Sequence, residues 1–556
     1  MLLLQLLLWV AVVSANFVTP PSEDPFYNAP ANISNYKNGD IIGWRPAPTR
    51  IRSLYFPVNV KNAWQVQVRS ENSLGEPQQI ITTIFEPYNG DPLKLLSYQT
   101  AQDSASNDCA PSYSVLYKAS MSTFMIQAEM LLIQTMLAKG WFVVMPDYEG
   151  VQGAFTAGIQ SGQATLDSLR AALHSNEISG ISPEAKAAFY GYSGGTIASG
   201  WAAYLQPKYA PELKKNLIGC AVGGWVTNIT LTAQSTEGSK SVGLVPNAIN
   251  GLINEYPSLA GLLEEELFPE KVEDFRLSRD LCVRAATLKY RYSNFFSGDH
   301  KWAKNGWGFW RNPRLLEVIN KNTVAVSPDG PIPEIPLFVF HGAADQVVPF
   351  AGAKRGYENF CKWGVKSLEF AVSTTTGHYT EALQGTGAGL AWLERIFNGE
   401  KPVEGCQVTH RSTNLLYPGA DAQYRQITNT LFSSFFGGRI GESTRESNKS
   451  SVVSQTLLRF FVWAFTAFTT PSPEQVFDTT PDIAVELEVE DAVEEIEVSV
   501  DADSVEALEV SAESGFPGDV EVSDFASQEE VASDVSTASD ISVETESTTE
   551  RVIDEL

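Results

Sequence analysis

Histidine and cysteine are scarce in this 556-residue chain, five of each, and the scarcity narrows its chemistry. No two cysteines stand at C-x-x-C spacing, so zinc is discounted and no metal site is expected. Long apolar runs are missing too. Two short ones stand out, Met1–Ala15 and Leu457–Phe468, the second interrupted by Arg459. Both fall short of the roughly 20 residues that a membrane-spanning helix needs. Basic charge is nearly absent from residues 471–556, where 27 Asp and Glu face a single Arg551. The net charge of −27 therefore belongs almost wholly to that stretch, and the 39 acidic and 38 basic residues before it nearly cancel. With no basic stripe, nucleic acid is excluded as a partner. The acidic stretch is also poor in large apolar side chains, so it is expected to be a disordered tail.

What the chain does have is Gly191-Tyr-Ser-Gly-Gly195, entered from the apolar run that ends at Tyr190 and followed by the helix-favouring Thr196–Tyr204. A G-x-S-x-G sequence between strand and helix is the setting of a nucleophile elbow. Small residues two before and two after the serine let the backbone turn sharply without Cβ clashes. Such a turn leaves Ser193 Oγ exposed above a sheet. It also brings the Gly194 N–H to a helix N-terminus, where it can stabilise an oxyanion.

An elbow needs an acid and a histidine, and the order of elements supplies both. Residues 16–60 read as an irregular surface arm. Trp64–Arg69 and Gln79–Phe85 flank a turn at Asn72–Gly75 and form an antiparallel pair. Leu93–Tyr98 is a third strand, Thr123–Ala138 a helix, Trp141–Met145 a buried strand and Thr165–His174 a helix. Leu217–Val222 follows the elbow helix. Strands alternating with helices imply a mainly parallel sheet covered on both faces. The rhythm breaks over residues 225–330, where helical patches (Asn247–Asn254, Leu259–Glu266, Val272–Tyr290) and an aromatic run replace it. An insertion placed there is where a lid over the site would sit, with an ordinary helical subdomain without gating as the alternative. The sheet resumes with Ile335–Gly342, whose end carries Asp345, and with Ser367–Val372, whose following loop carries His378. A helix over Tyr379–Phe397 comes next.

Ser193, Asp345 and His378 thus stand at successive strand ends in the order of an α/β-hydrolase triad. A serine hydroxyl is a poor nucleophile until a base takes its proton; an imidazole can take that proton and return it. Asp345 would hold the imidazole tautomer. Among the competitors, His174 reads as helical, His300 falls in the insertion, His410 follows Cys406, and His341 is a packed strand-end residue. Asp147, after the Trp141–Met145 strand, is the rival acid.

The N-terminus ends in Val13-Ser-Ala15, small residues at the positions that signal peptidase reads, so residues 1–15 are taken as a cleaved secretory signal. Three N-x-S/T triplets, at Asn32, Asn228 and Asn448, fit that route as glycosylation candidates. In an oxidising compartment five cysteines imply two bridges and one spare thiol. Cys220, inside an apolar strand-like run, is the expected free one. Three pairings of Cys109, Cys282, Cys361 and Cys406 stay open.

Taken together, Gly191–Gly195, His341-Gly-Ala-Ala-Asp345, Gly377-His-Tyr379, and Asp103 with Asp108-Cys-Ala-Pro-Ser-Tyr113 resemble the fungal secretory lipases of the Candida type, over roughly Asn16 to Phe436. The resemblance implies an α/β-hydrolase fold and triacylglycerol hydrolysis by Ser193, Asp345 and His378 without a cofactor. It implies an oxyanion hole formed by the backbone of Asp103 and Gly194, and bridges Cys109–Cys282 and Cys361–Cys406. It also makes the matching 225–330 a lid and Tyr424–Gly438 a flap over the acyl site. The expected organisation is a core in two parts, 16–224 and 331–440, the second ending in the flap. A polar linker with a short apolar segment (441–470) and the tail (471–556) follow. Leu457–Phe468 departs from the family pattern and reads as a packed segment, with an interfacial helix as the alternative. The final Ile553-Asp-Glu-Leu556 resembles an endoplasmic-reticulum retrieval signal without its leading Lys or His, setting retention against full secretion. The expectation is a secreted monomeric lipase working on esters at an oil–water interface. A carboxylesterase or serine peptidase on the same fold, or an inactive hydrolase-like binding protein, is the alternative.

Overall fold

A computed structural model describes residues 18–442. The expected signal at 1–15, the sequon at Asn448, the apolar Leu457–Phe468, the acidic tail and the Ile553–Leu556 terminus lie outside the described residues, as does all but the start of the 441–470 linker.

Strands are β1 (Ile41–Pro46), β2 (Ile51–Ser53), β3 (Phe56–Val58), β4 (Asn62–Glu71), β5 (Pro77–Glu86), β6 (Asp91–Gln99), β7 (Trp141–Pro146), β8 (Lys186–Tyr192), β9 (Leu217–Gly223), β10 (Leu337–Gly342), β11 (Ser367–Ser373) and β12 (Gly405–Arg411). Helices of seven residues or more are α1 (Phe124–Ala138), α2 (Gly158–His174), α3 (Gly195–Tyr209), α4 (Ile229–Thr236), α5 (Leu244–Glu255), α6 (Pro269–Arg276), α7 (Val283–Tyr290), α8 (Pro313–Lys321), α9 (Phe350–Lys362), α10 (His378–Gln384), α11 (Thr386–Phe397) and α12 (Ala420–Phe435).

Ten strands form one sheet in the order β1-β4-β5-β7-β6-β8-β9-β10-β11-β12. Pairing is antiparallel from β1 to β7 and parallel from β7 to β12. Parallel strands buried on both faces read as unbroken apolar runs, and every residue of β7 and β10 is buried. Successive side chains alternate between two cores. Phe189 and Val339 join the one that takes in α2 and α3; Ala188, Tyr190, Phe338 and Phe340 join the one that takes in α1, α11 and α12. The parallel register brings the C-terminal ends of β6, β8, β10 and β11 to one edge of the sheet, where the functional residues of open α/β sheets gather.

Several expectations need correction. Residues 16–60 are not irregular throughout: they add the edge strand β1 and the small β2–β3 hairpin. Strand β12 extends the sheet beyond β11, but most of its residues are exposed, so it has no apolar alternation to announce it. Val272–Tyr290 is not one helix but α6 and α7 with a 3-10 turn at Leu277–Asp280 between them. Tyr379–Phe397 is likewise divided at Gly385 into α10 and α11. Residues 225–330 hold α4 to α8 and no named strand, packed around an aromatic cluster that includes Phe275, Tyr290, Phe295 and Trp302. Tyr424–Gly438 falls largely in helix α12, which packs on α11 and α1.

Met121–Ala138 is long and apolar enough to cross a membrane. It is half buried, and Ile126, Met130, Ile133, Met136 and Leu137 of α1 pack into the core instead. Two disulfides, Cys109–Cys282 and Cys361–Cys406, join residues 173 and 45 apart in sequence, and Cys220 is a buried free thiol in β9.

Candidate active site

Ser193 sits between the end of β8 and the start of α3 with φ of 52°, a left-handed conformation that costs a residue with a side chain about 1–2 kcal/mol. The turn closes because its neighbours vacate space. A Cβ on Gly191 would stand 2.5 Å from Ser199 Oγ and 2.7 Å from the Gly195 carbonyl, and one on Gly195 would strike the Gln99 carbonyl of β6. The Ser193 N–H donates to Gly223 O at 2.9 Å, tying the turn to β9. Gly194 is the N-cap residue of α3, so its N–H faces the positive end of that helix.

The side chains that sequence order brought into one set also meet in space. Ser193 Oγ lies 2.8 Å from His378 Nε2, and His378 Nδ1 lies 2.8 Å from Asp345 Oδ2. Asp345 Oδ1 accepts from the Val347 and Val348 N–H groups at 2.9 and 2.7 Å. Burial works to raise the Asp345 pKa; the charge and hydrogen bond of His378, with His341 and the Val347 N–H, outweigh it and hold the carboxyl below its ordinary value. A carboxylate kept ionised beside an imidazole fixes the tautomer that leaves Nε2 able to accept from the serine. The His378 loop is itself anchored: its N–H donates to Gln346 Oε1 at 3.0 Å and its carbonyl accepts from Tyr192 OH at 2.6 Å.

The rivals have other partners, although His341 Nε2 also lies 3.5 Å from Asp345 Oδ2. His341 is fully buried; its Nδ1 accepts from the Trp225 N–H at 3.1 Å and its Nε2 faces Val348 O at 3.0 Å, which defines a neutral ring that braces the strand end. Burial lowers its pKa further. His174, His300 and His410 are exposed. Asp147 accepts from the Ser112 N–H at 2.8 Å and Oγ at 2.5 Å, and burial pushes its pKa up to about 7. It serves Ser112 rather than an imidazole.

Asp103 lies in the loop after β6 with φ of 51°, and its carboxyl stands where a Cβ on Gly194 would collide with it. Burial raises its pKa to about 7 against the opposing pull of His378. Two further acids back this loop, half-buried Glu129 and buried Glu149, and sequence reasoning missed both. Glu129 of α1 accepts from the Ala101 N–H at 2.8 Å and Tyr98 OH at 2.9 Å, and burial pushes it up to about 8. Glu149 lies near the Ser104 and Asp103 N–H groups, yet neither of its oxygens has an aligned partner among the described residues; burial and the Asp103 charge push it well up. Acids inside helices and turns look like surface residues in a sequence, so no signal marked them.

A narrow, mainly apolar cavity of about 40 Å³ opens beside Ser193. Its wall combines Asp103, Gly194 and Ile197 of the core with Ile229, Leu244, Val245, Ala248 and Trp310 of the 225–330 insertion. No residue of Tyr424–Gly438 lines this cavity; Tyr424 and Ile427 of α12 pack in the other core. Of the sequons, Asn32 is exposed, and half-buried Asn228 caps α4 by accepting from the Thr230 N–H at 2.8 Å. Among the described residues no group of three or more His, Cys, Asp or Glu side chains converges on a metal-sized site.

Comparison with known proteins adds independent findings. A family model described as secretory lipase matches residues 116–405. Lipase 1 of Candida albicans is 44% identical over 445 residues, covering 79% of this chain and 95% of the relative. Lipase A of Arthroderma benhamiae is 34% identical over 409 residues, covering 72% and 85%. Among solved structures, Candida antarctica lipase A in its closed state superposes with a TM-score of 0.64 at 26% identity, over 74% of this chain and 96% of that one.

Proposed function

Because the chain belongs to the secretory lipase family, and is thereby a carboxylic ester hydrolase, we propose that it cleaves triacylglycerols through a serine acyl-enzyme. The observation that carries the mechanism is the continuous bonded chain Ser193–His378–Asp345, two links of 2.8 Å each. In this reading His378 Nε2 takes the Ser193 proton as Oγ attacks the ester carbonyl, and Asp345 stabilises the imidazolium that forms. The tetrahedral oxyanion is received by the Asp103 and Gly194 N–H groups. His378 then protonates the departing glycerol oxygen. Water repeats the sequence to release the fatty acid.

The mainly apolar cavity wall supports an acyl chain rather than a peptide as the group held beside Ser193. The family is secretory; export through cleavage near Asn16 is our reading for this chain. The test is hydrolysis of a chain-length series of p-nitrophenyl esters and of emulsified triacylglycerols, by the protein and by Ser193→Ala, with fluorophosphonate labelling of both. Triacylglycerol turnover and labelling, each abolished in Ser193→Ala, are expected. Turnover confined to short esters would make the protein a carboxylesterase, and labelling-independent turnover would remove Ser193 from the reaction.

A further inference from the structure

A donor in a glycine-free loop at φ of 51° does not aim itself, so something must fix the peptide planes on either side of Asp103. Across a planar trans peptide the carbonyl and N–H point in opposite directions. The direction of the Asp103 N–H is therefore set by what holds the Gln102 carbonyl, with the Glu149 carboxyl near the N–H itself. That carbonyl accepts from Ser104 Oγ at 2.7 Å, and Ser104 Oγ accepts in turn from the Val283 N–H at 3.0 Å. On the other side, the Asp103 carbonyl accepts from Asn247 Nδ2 at 2.7 Å. Ser104 and Asn247 are both fully buried.

Ser104 lies in the loop itself, but the Val283 N–H that orients its hydroxyl and the Asn247 amide both come from the 225–330 insertion. Val283 opens α7, next to Cys282 and its bridge to Cys109. Asn247 lies within α5, where an asparagine is a poor helix former and is unfavourable unless its amide has a partner. Its partner is a carbonyl, so the amide nitrogen must be the atom that faces it. Two turns on, Asn254 Nδ2 donates to Gln152 O at 2.8 Å and Ala105 O at 3.2 Å, tying the same helix to the same loop a second time.

We propose that Ser104 and Asn247 are positioning residues for the reaction: together they lock the peptide planes flanking Asp103 and turn its N–H toward the developing oxyanion. The insertion thus sets the rate of the chemical step as well as walling the cavity. This rests on the reading of Asp103 as an oxyanion donor. Loss of a whole donor costs about 10²–10³ in kcat, and a donor that is present but mis-aimed loses part of that. Ser104→Ala and Asn247→Ala should therefore each lower kcat about 10–100-fold while KM for a p-nitrophenyl ester moves less than about threefold. The inhibition constant of an alkylboronic acid, which forms a tetrahedral adduct on the serine, should rise in proportion to the loss of kcat/KM, whereas binding of the product fatty acid should not change. Ser104→Thr, which keeps the hydroxyl, should restore most of the rate.

Unchanged kcat in both alanine variants overturns the proposal, as does a fall in kcat with boronic acid affinity intact. If Ser104→Ala does not fold, as thermal melting will show, Asn247→Ala on a separate element carries the same test with the same outcomes. Ser193→Ala keeps the two readings apart: residual turnover there defeats the triad, whatever Ser104 and Asn247 do.

Discussion

Two loops face each other beside the cavity, and each holds a residue with a side chain at positive φ, Ser193 at 52° and Asp103 at 51°. They reach that shape by opposite means. The Ser193 turn is held locally, by the strand it leaves, the helix it starts and the space conceded by Gly191 and Gly195. The Asp103 loop contains no glycine from Thr100 to Ser106 and, beyond the local bonds of the Ser104 hydroxyl to Gln102 O and the Gln102 N–H to Thr100 O, is held from a distance. Glu129 bonds the Ala101 N–H, Tyr148 OH bonds the Thr100 carbonyl at 2.6 Å, and Asn247 bonds Asp103 itself. Strain held locally is insulated from the rest of the molecule; strain held by remote partners is exposed to changes in any of them.

The largest expected effect breaks the elbow side. Asp345→Asn should lower kcat about 10⁴-fold by releasing the imidazole tautomer. Asp147→Asn, bonded to Ser112 instead, should stay within severalfold of the parent. Steady-state kinetics of the pair decide the assignment, and a reversed ranking would move the acid to Asp147. Next comes Gly194→Ala, which forces a methyl group into the Asp103 carboxyl and sets the two loops against each other. A loss of about 10²–10³ in kcat is expected; near-parental turnover would show that the Asp103 loop yields freely and that its remote ties do not matter.

Stability separates the loops more gently. Cys282→Ser removes the bridge beside Val283 and opens a loop of 173 residues, at an expected cost of about 2–5 kcal/mol in chemical denaturation. Cys361→Ser opens a loop of 45 residues on the far side of the molecule's chain order and should cost less. Equal costs would remove the special standing of the Asp103 side.

The smallest effect is in pH dependence, and the two sides carry opposite signs. Glu129 is held near 8 against an ordinary glutamate value of about 4.3, so it binds its proton more tightly in the native state. Its contribution to stability is complete below about pH 4 and is lost as pH rises through about 8. Asp345, held low, contributes stability above the ordinary aspartate value that is lost only as pH falls through its depressed value. Melting temperature should therefore decline from pH 5 to pH 8, and Glu129→Gln, which mimics the neutral acid, should flatten that decline. Parallel slopes in the two proteins would mean that Glu129 does not titrate there.

The same contrast explains what could be read from residues alone. Gly191 and Gly195 sit in the chain beside the serine they serve, and Asp345 and His378 follow apolar strands of unmistakable pattern, so the elbow and its partners were legible. The central parallel strands were legible for the same reason. Asp103 was reached only through family resemblance, because most of its loop's supports lie far along the chain: Glu129 is 28 residues from the Ala101 it bonds, Asn247 144 from Asp103 and Val283 179 from Ser104. Strands β1 and β12 escaped notice because an edge strand with exposed side chains has no apolar period to display. For Tyr424–Gly438 the expectation of a flap likewise came only from resemblance; Tyr424 and Ile427 pack α12 into the core on the other face of the sheet.

The long bridge also orders events during synthesis. Cys109 leaves the ribosome 173 residues ahead of Cys282, an interval of about 10–35 s at ordinary elongation rates, and Cys220 emerges in between. The first thiol offered to Cys109 is therefore the wrong one. Thiol exchange needs a thiolate on an accessible sulfur, and β9 denies both: Cys220 is fully buried there, and that burial pushes its pKa far up. Because β10, one of the two neighbours of β9, is made only after Cys282, this shielding belongs to the completed sheet, where it keeps Cys220 from exchanging into the finished Cys109–Cys282 bridge.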